Sequence, residues 1–214
     1  LEIEKMPTYS LLRKASLIYS DEGQILVWIF DENGDPVNNI FVTAKIGNIT
    51  HNGVTNESGY AFLIFDVLMK PDNYTLYLSW GGTEIYLGGN AEYIVNVAKE
   101  VTVIHINVEG HLVVWGETRI NINITDDEDN QIYPLQIMVY AGDVLLYNGT
   151  YDAPMSIRWT PHKSGEIKIK VFVLESEYYA SAYKEETVYV KESEENPAGR
   201  YYVIVPVAIS AILI

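Results

Sequence analysis

Short runs rich in Val, Ile, Tyr and Thr follow one another from end to end of this chain, and Gly, Asn, Asp and Pro interrupt them. No other feature leaves the chain so few choices. β-Branched and aromatic side chains suit a pleated, half-buried surface, and Gly, Asn and Asp supply the backbone conformations that tight turns need. No amphipathic helix of useful length interrupts the series. The chain is therefore expected to be all-β. Residues 15–19 and 24–30 read as a hairpin about Ser20-Asp21-Glu22-Gly23, and Asn33-Gly34 marks the next turn. Residues 40–46, 59–66, 74–80, 83–87 and 101–108 continue the series, with Gly81-Gly82 as a two-residue hairpin turn.

Gly110 is the expected boundary. A second series then runs through 112–115, 119–125, 135–140, 144–147, 155–159, 166–174 and 187–190. Each series is about 80–90 residues long with turns about every 8–12, the spacing of an immunoglobulin-like β-sandwich. The expected organisation is an N-terminal arm at 1–14, one sandwich at 15–109, a second at 110–191, an acidic linker at 192–200 and an apolar tail at 201–214.

The tail, Tyr201 to Ile214, carries no charge. As a helix it would reach about 21 Å, short of a hydrocarbon core of about 30 Å. As a strand it sets Val203, Val205, Val207, Ile209, Ala211 and Leu213 on one wholly apolar face, and Pro206 suits an edge or inserted strand. A terminal apolar strand can complete the sheet of another subunit. The alternative is a membrane anchor with Arg200, Tyr201 and Tyr202 at the interface.

Composition narrows the partners. Of 214 residues, 48% are hydrophobic, enough for a real core. There is no cysteine, which removes disulfides and thiolate chemistry. The net charge of −15 argues against nucleic acid, which needs basic patches, and against an anionic membrane surface. The chain opens on Leu1, as one trimmed of an export signal would, and as a fragment would too. Asn48, Asn56, Asn73, Asn123 and Asn148 each begin an Asn-x-Ser/Thr acceptor, about three times the number chance would give. These five positions are expected to carry N-linked glycans on an extracellular protein.

Catalysis is not expected. His51, His105, His111 and His162 lie in no metal-binding spacing, and no serine sits in a nucleophile elbow. The acidic run Asp126 to Asp129 and the alternation Asp31, Asn33, Asp35 have oxygen donors of the kind Ca²⁺ takes, yet the twelve-residue loop with its terminal Glu is missing. Solvated turns account for both, so no cofactor is expected, Ca²⁺ being the one candidate. Trp28, Trp80, Trp115 and Trp159 are expected in the core. Lys45 and Lys168 are the candidates for an intramolecular Lys–Asn isopeptide bond.

Asp31-x-x-Gly34-x-Pro36-Val37, followed by Gly53-Val-Thr-Asn-Glu-Ser-Gly59-Tyr-Ala-Phe62, resembles the bacterial and archaeal Ig-like surface domains over residues 24–80. Trp159-Thr160-Pro161 with Gly165 resembles a turn of the same superfamily. The whole profile of tail strand, β-sandwich modules, acceptor sites and missing cysteine is similar to archaeal extracellular filament subunits of the thread type. That resemblance implies a structural subunit of a glycosylated, pilus-like cell-surface filament. Its only protein partner would be itself, joined head to tail by donor-strand complementation, and residues 1–14 are the other candidate donor. The competing expectation is a membrane-anchored, S-layer-associated Ig-like protein.

Overall fold

The computed structural model describes residues 4–193, and all its regular elements are strands. In the first set, β1 (Thr8–Ser16), β2 (Glu22–Asp31) and β5 (Tyr60–Asp66) form one sheet, ordered β1-β2-β5. The strands β3 (Phe41–Ile46), β4 (Ile49–Val54), β6 (Asp72–Trp80) and β7 (Gly89–Val97) form the other, ordered β4-β3-β6-β7. The second set repeats the plan. There β8 (Val103–Gly110), β9 (Thr118–Thr125) and β12 (Met155–Trp159) are ordered β12-β9-β8. Its other sheet takes β10 (Leu135–Ala141), β11 (Val144–Tyr151), β13 (Gly165–Val173) and β14 (Ala182–Val190) in the order β11-β10-β13-β14. Three strands in one sheet and four in the other is a seven-strand sandwich of immunoglobulin-like type.

By contact the chain separates into two compact units. Among the described residues, 4–103 form one with 124–136 and 173–182, and 104–123, 137–172 and 183–193 form the other. In the first unit, period-two alternation does the folding. In β2, Ile25, Val27 and Ile29 are fully buried, as are Val42, Ala44 and Ile46 on β3 and Leu76 and Leu78 on β6. Each of the Val, Leu and Ile side chains among these contributes roughly 1.5–3 kcal/mol on leaving water. Trp80 is buried and its indole N–H donates to the Thr8 hydroxyl at 2.7 Å, which in turn donates to the Leu87 carbonyl at 2.6 Å. In the second unit Ile120, Val139, Ile169, Val171 and Val190 take buried positions, and Tyr151 and Trp159 are large buried rings.

One loop is built twice. After β2, the Asp31 carboxylate accepts the amides of Asn33 at 2.9 Å and Asp35 at 3.0 Å, and Gly34 takes φ +85°. After β9, the Asp126 carboxylate accepts the amides of Glu128 at 3.1 Å and Asn130 at 2.7 Å, and Asp129 takes φ +66°. Isolated bridges follow at Phe30–Pro36 and Thr125–Gln131. The two aspartates are therefore buried turn-formers, saturating amides that the turn would leave without partners.

Four local expectations are corrected. Residues 8–14, read as an arm, belong to β1. A bulge between Leu12 and Lys14 breaks the alternation that would have shown it. Residues 83–87 are not a strand, and Gly81-Gly82 is not a two-residue turn. The stretch between β6 and β7 is a loop in which the Thr83 amide donates to the Tyr86 carbonyl and Met6 forms a parallel bridge to Tyr86. Residues 112–115 are not a strand: Val113 makes an isolated bridge to Lys191, and a turn follows with Trp115 at φ +66°. The strands β4 and β7, rich in Gly, Asn and His, had too little β-propensity to be legible.

Candidate functional site

The outward face of β1-β2-β5 departs from the sandwich rule. A sheet with one buried face normally presents polar residues on the other. Here the register sets Tyr9 beside Phe30, Leu11 beside Trp28 and Tyr60, and Leu26 beside Phe62, with Ile64 beyond. All eight side chains are apolar or aromatic, and Phe62 and Ile64 are each 51% exposed. Trp28 stacks on Phe30 with ring centroids 4.5 Å apart and planes 27° apart. Tyr60 extends the row at 6.3 Å from Trp28, and Tyr9 at 5.9 Å from Phe30. Rings stacked on one another turn their edges outward, which suits packing against protein better than stacking on a sugar ring.

The charges on this face are of both signs. Lys14 lies beside Leu26 and donates to Gln24 at 3.4 Å, and Arg13 is the bulged residue next to it. The acids Glu22 and Asp66 face each other at the far end, beyond Ile64. In the other unit, the aromatic residues Tyr140, Phe172 and Tyr183 also cluster on a sheet face, but Lys168, Lys170 and Glu185 are interspersed with them.

A second feature gathers charge. Asp21, Glu100, Asp127 and Glu128 place carboxylate oxygens within 4.8 Å of one another. Their backbones are locked around them. Ser20, at φ +71°, donates its amide to Val67, and Glu100 pairs in parallel with Tyr179, its amide reaching the Tyr178 carbonyl at 2.9 Å. Tyr19 packs on Tyr178 at 4.7 Å. Glu100 is fully buried and accepts from the Ser20 hydroxyl at 2.9 Å and the Val101 amide at 2.7 Å. Burial pushes its pKa up to about 7, the two hydrogen bonds oppose the rise, and Asp21 adds to it. Glu128 is raised as well, by burial first and then by Asp21 and Asp127. Burial also raises Tyr179, with Tyr19 and Glu100 adding to it. Four converging carboxylates have the oxygen chemistry of a hard-cation site. Two of them, Asp127 and Glu128, lie in the run singled out from sequence. Asp126 is spent on its own loop, and Asp21 and Glu100 come from turns distant in sequence that no local pattern joins to it.

The remaining sequence candidates separate cleanly. Asn48, Asn56, Asn73 and Asn148 are exposed, whereas Asn123 is half-buried on β9 and accepts from the Tyr151 hydroxyl at 3.5 Å. Asn56 is occupied in its turn, receiving the amides of Ser58 and Tyr60 at 3.0 Å each. Asn73 accepts from Asn96 at 3.1 Å. Trp80 and Trp159 are core residues as expected, but Trp28 lies on the outer face and Trp115 is 67% exposed, stacked on His162 at 4.5 Å. His51 stacks on Phe65 at 4.4 Å. Lys168 is engaged by Glu185 at 2.6 Å on the surface, where no buried acid can promote an isopeptide bond to it. The tail positions Val203, Val205, Val207, Ile209, Ala211 and Leu213 lie outside the described residues.

No family model and no curated relative matches the chain. Among solved structures it is similar to the fibronectin(III)-like modules of Clostridium thermocellum CbhA, at 15% identity over 88% of this chain and 97% of that one, TM-score 0.35. A titin fragment matches at 14% identity over 87% and 66% of the two chains, TM-score 0.45. The Escherichia coli adhesin FdeC matches at 10% identity over 87% and 64%, TM-score 0.36.

Proposed function

We propose that this chain is a structural subunit of a cell-surface assembly: extracellular, N-glycosylated and non-catalytic, joined to further copies of itself through its apolar C-terminal segment. The observation that carries the reading is the outward face of β1-β2-β5. A contiguous apolar patch left on a solvent-facing sheet marks a surface that another protein covers. Four exposed Asn-x-Ser/Thr acceptors suit an exported chain, as does a fold that uses no cysteine.

Each described strand set holds seven strands in two sheets with free edges. A donor segment would add at such an edge or against the outside of a sandwich. The uncharged run 201–214, preceded by Arg200 and opening on Tyr201 and Tyr202, favours a second reading in which the same sandwiches stand on a membrane anchor.

Electron microscopy of material sheared without detergent from cells making the protein tests the choice. Thin filaments containing the glycoprotein support the subunit. Release by detergent alone, with no filaments, selects the anchor. Mass spectrometry of the same material reads glycan occupancy at Asn48, Asn56, Asn73, Asn123 and Asn148.

A further inference from the structure

We infer that the first sugar of a glycan on Asn123 is folded into a cavity on the outward face of β12-β9-β8, where it is held as part of the sandwich. The inference rests on the N-glycosylated reading above and adds to it a seat for one particular glycan.

Asn123 stands apart from the other four acceptors. Asn48, Asn56, Asn73 and Asn148 are exposed, whereas Asn123 is half-buried within β9. Thr125, the hydroxyl residue that completes its acceptor, is 2% exposed. A transferase reads both residues, and the folded chain withholds both. Attachment at Asn123 therefore precedes folding, and the chain closes around a sugar already in place. Attachment exchanges one hydrogen of the side-chain amide for the anomeric carbon of a glycosyl phosphate donor; the phosphate leaves with the bonding pair and the hydrogen as a proton.

The fold leaves room for that sugar. A cavity of about 320 Å³ is lined by Asn123 together with His105, Asn107, Asn121, Pro154 and Ser156. That is the lower end of the range for small-molecule pockets, and it accommodates a pyranose ring. The strand pattern accounts for it. Ile120, Ile122 and Ile124 are buried, so Asn121 and Asn123 alternate to the other face of β9. Ser156 pairs with Asn121, and the ladder to β12 ends at Met155 with Ile122. Next in that register to Asn123 is Pro154, which has no N–H to continue the ladder. The sheet thus opens beside the acceptor.

The lining has the chemistry of a sugar seat. None of its residues is Asp, Glu, Lys or Arg, on a chain with 29 acids. Its amides and hydroxyl both donate and accept, as sugar hydroxyls do. The Asn107 amide nitrogen donates to Glu109 at 2.7 Å, so the group it offers the cavity is its carbonyl. On Asn123 the carbonyl accepts from the buried Tyr151 hydroxyl at 3.5 Å. The amide nitrogen, the atom that carries a glycan, is the other branch of the same planar group.

The full chain is made in a eukaryotic secretory host, whose N-glycans begin with N-acetylglucosamine, and occupancy is read site by site by mass spectrometry. A peptide N-glycosidase, which converts each released Asn to Asp, then digests native and heat-unfolded protein. The expected result is release at Asn123 several-fold slower than at Asn48 and Asn148 in the native protein, with the gap closed by unfolding. Ser156→Trp fills the cavity from an exposed position and should speed release at Asn123 several-fold without moving Asn48. Asn107→Trp is a second filling variant, also from an exposed position, and circular dichroism confirms the fold of each. Burial of Asn123 alone slows release but does not respond to filling. Release at Asn123 as fast as at Asn48, or folded filling variants that leave its rate unchanged, overturns the seat. An empty Asn123 beside occupied Asn48 and Asn148 overturns it and leaves the glycosylated reading intact; five empty acceptors discard both.

Discussion

Replacing Glu100 by Gln should abolish a dependence of stability on pH that the buried carboxyl imposes. Glu100 titrates near 4.5 when exposed and is raised to about 7 in the folded chain, chiefly because burial disfavours its charged form. Between those limits the folded chain keeps a proton that the unfolded chain has released. Stability therefore falls as pH rises through that window. The contribution is fully present below about pH 4.5 and gone above about pH 7. At about 1.4 kcal/mol per pH unit, the whole effect is on the order of 3 kcal/mol. The groups facing Glu100 are Asp21, Asp127, Glu128 and the Tyr179 hydroxyl, so nothing cationic in the cluster offsets the cost. Gln keeps an oxygen for the Val101 amide and an amide for the Ser20 hydroxyl, and cannot ionise. Urea unfolding at four pH values from 5 to 8, with unchanged m-values, is the assay. The difference between wild type and Glu100→Gln should move steadily in favour of the variant as pH rises. If the two proteins run parallel throughout, Glu100 is already ionised in the folded state and the account of its burial is wrong. Repeating the series with calcium separates a cation-holding set, where wild type alone gains at high pH, from a purely repulsive one.

Other outcomes follow from single contacts. Gly59→Ala pays for φ +77° and sets a Cβ 2.6 Å from the Ile29 carbonyl, whereas Gly34→Ala pays only for φ +85° with nothing within 4 Å. Chemical denaturation should show a loss of about 1–2 kcal/mol at Gly34 and a clearly larger one at Gly59. Asp126→Ala strips the acceptor from two loop amides and should cost about 1–3 kcal/mol, with Asp126→Asn retaining part of it. Asp129→Gly relieves a positive φ and should leave stability unchanged or raised by up to about 1 kcal/mol. Phe62→Asp lies on the outer face, so thermal unfolding of the monomer should barely change while sedimentation shows assembly lost.

Much of the fold was legible because its signals are local. Asn33-Gly34 and the Asp31-to-Val37 motif state their turn outright, since the aspartate bonds its own loop and glycine alone accepts the φ without cost. The pairs of strands flanking that loop follow from alternation. What stayed hidden was of two kinds. Strand β1 is disguised by its bulge, and β4 and β7 by Gly, Asn and His that pairing partners tolerate. The sites are hidden for a different reason. The four carboxylates come from turns that the chain brings together only when folded. The aromatic outer face looked like core because Trp28, Phe30 and Phe62 carry the same chemistry as the residues behind them, and apolar character alone does not say which side of a sheet is wet.

A strand that is apolar on both faces has a harder task in finding its register. When one face of a strand is polar, sliding the pairing by one residue is punished at once, because the polar face turns inward. On β2 a slip exchanges Ile25, Val27 and Ile29 for Leu26, Trp28 and Phe30, and water raises little objection to either set. Fidelity must then come from shape and from the ends of the strand. Gly23 sits where a Cβ would meet Val67 at 2.4 Å, and the Asp31 loop closes the other end with two amides on one carboxylate. The strand is held like a rule clamped at both ends, and loosening either clamp should yield misaligned, self-adhesive chains before it yields unfolded ones.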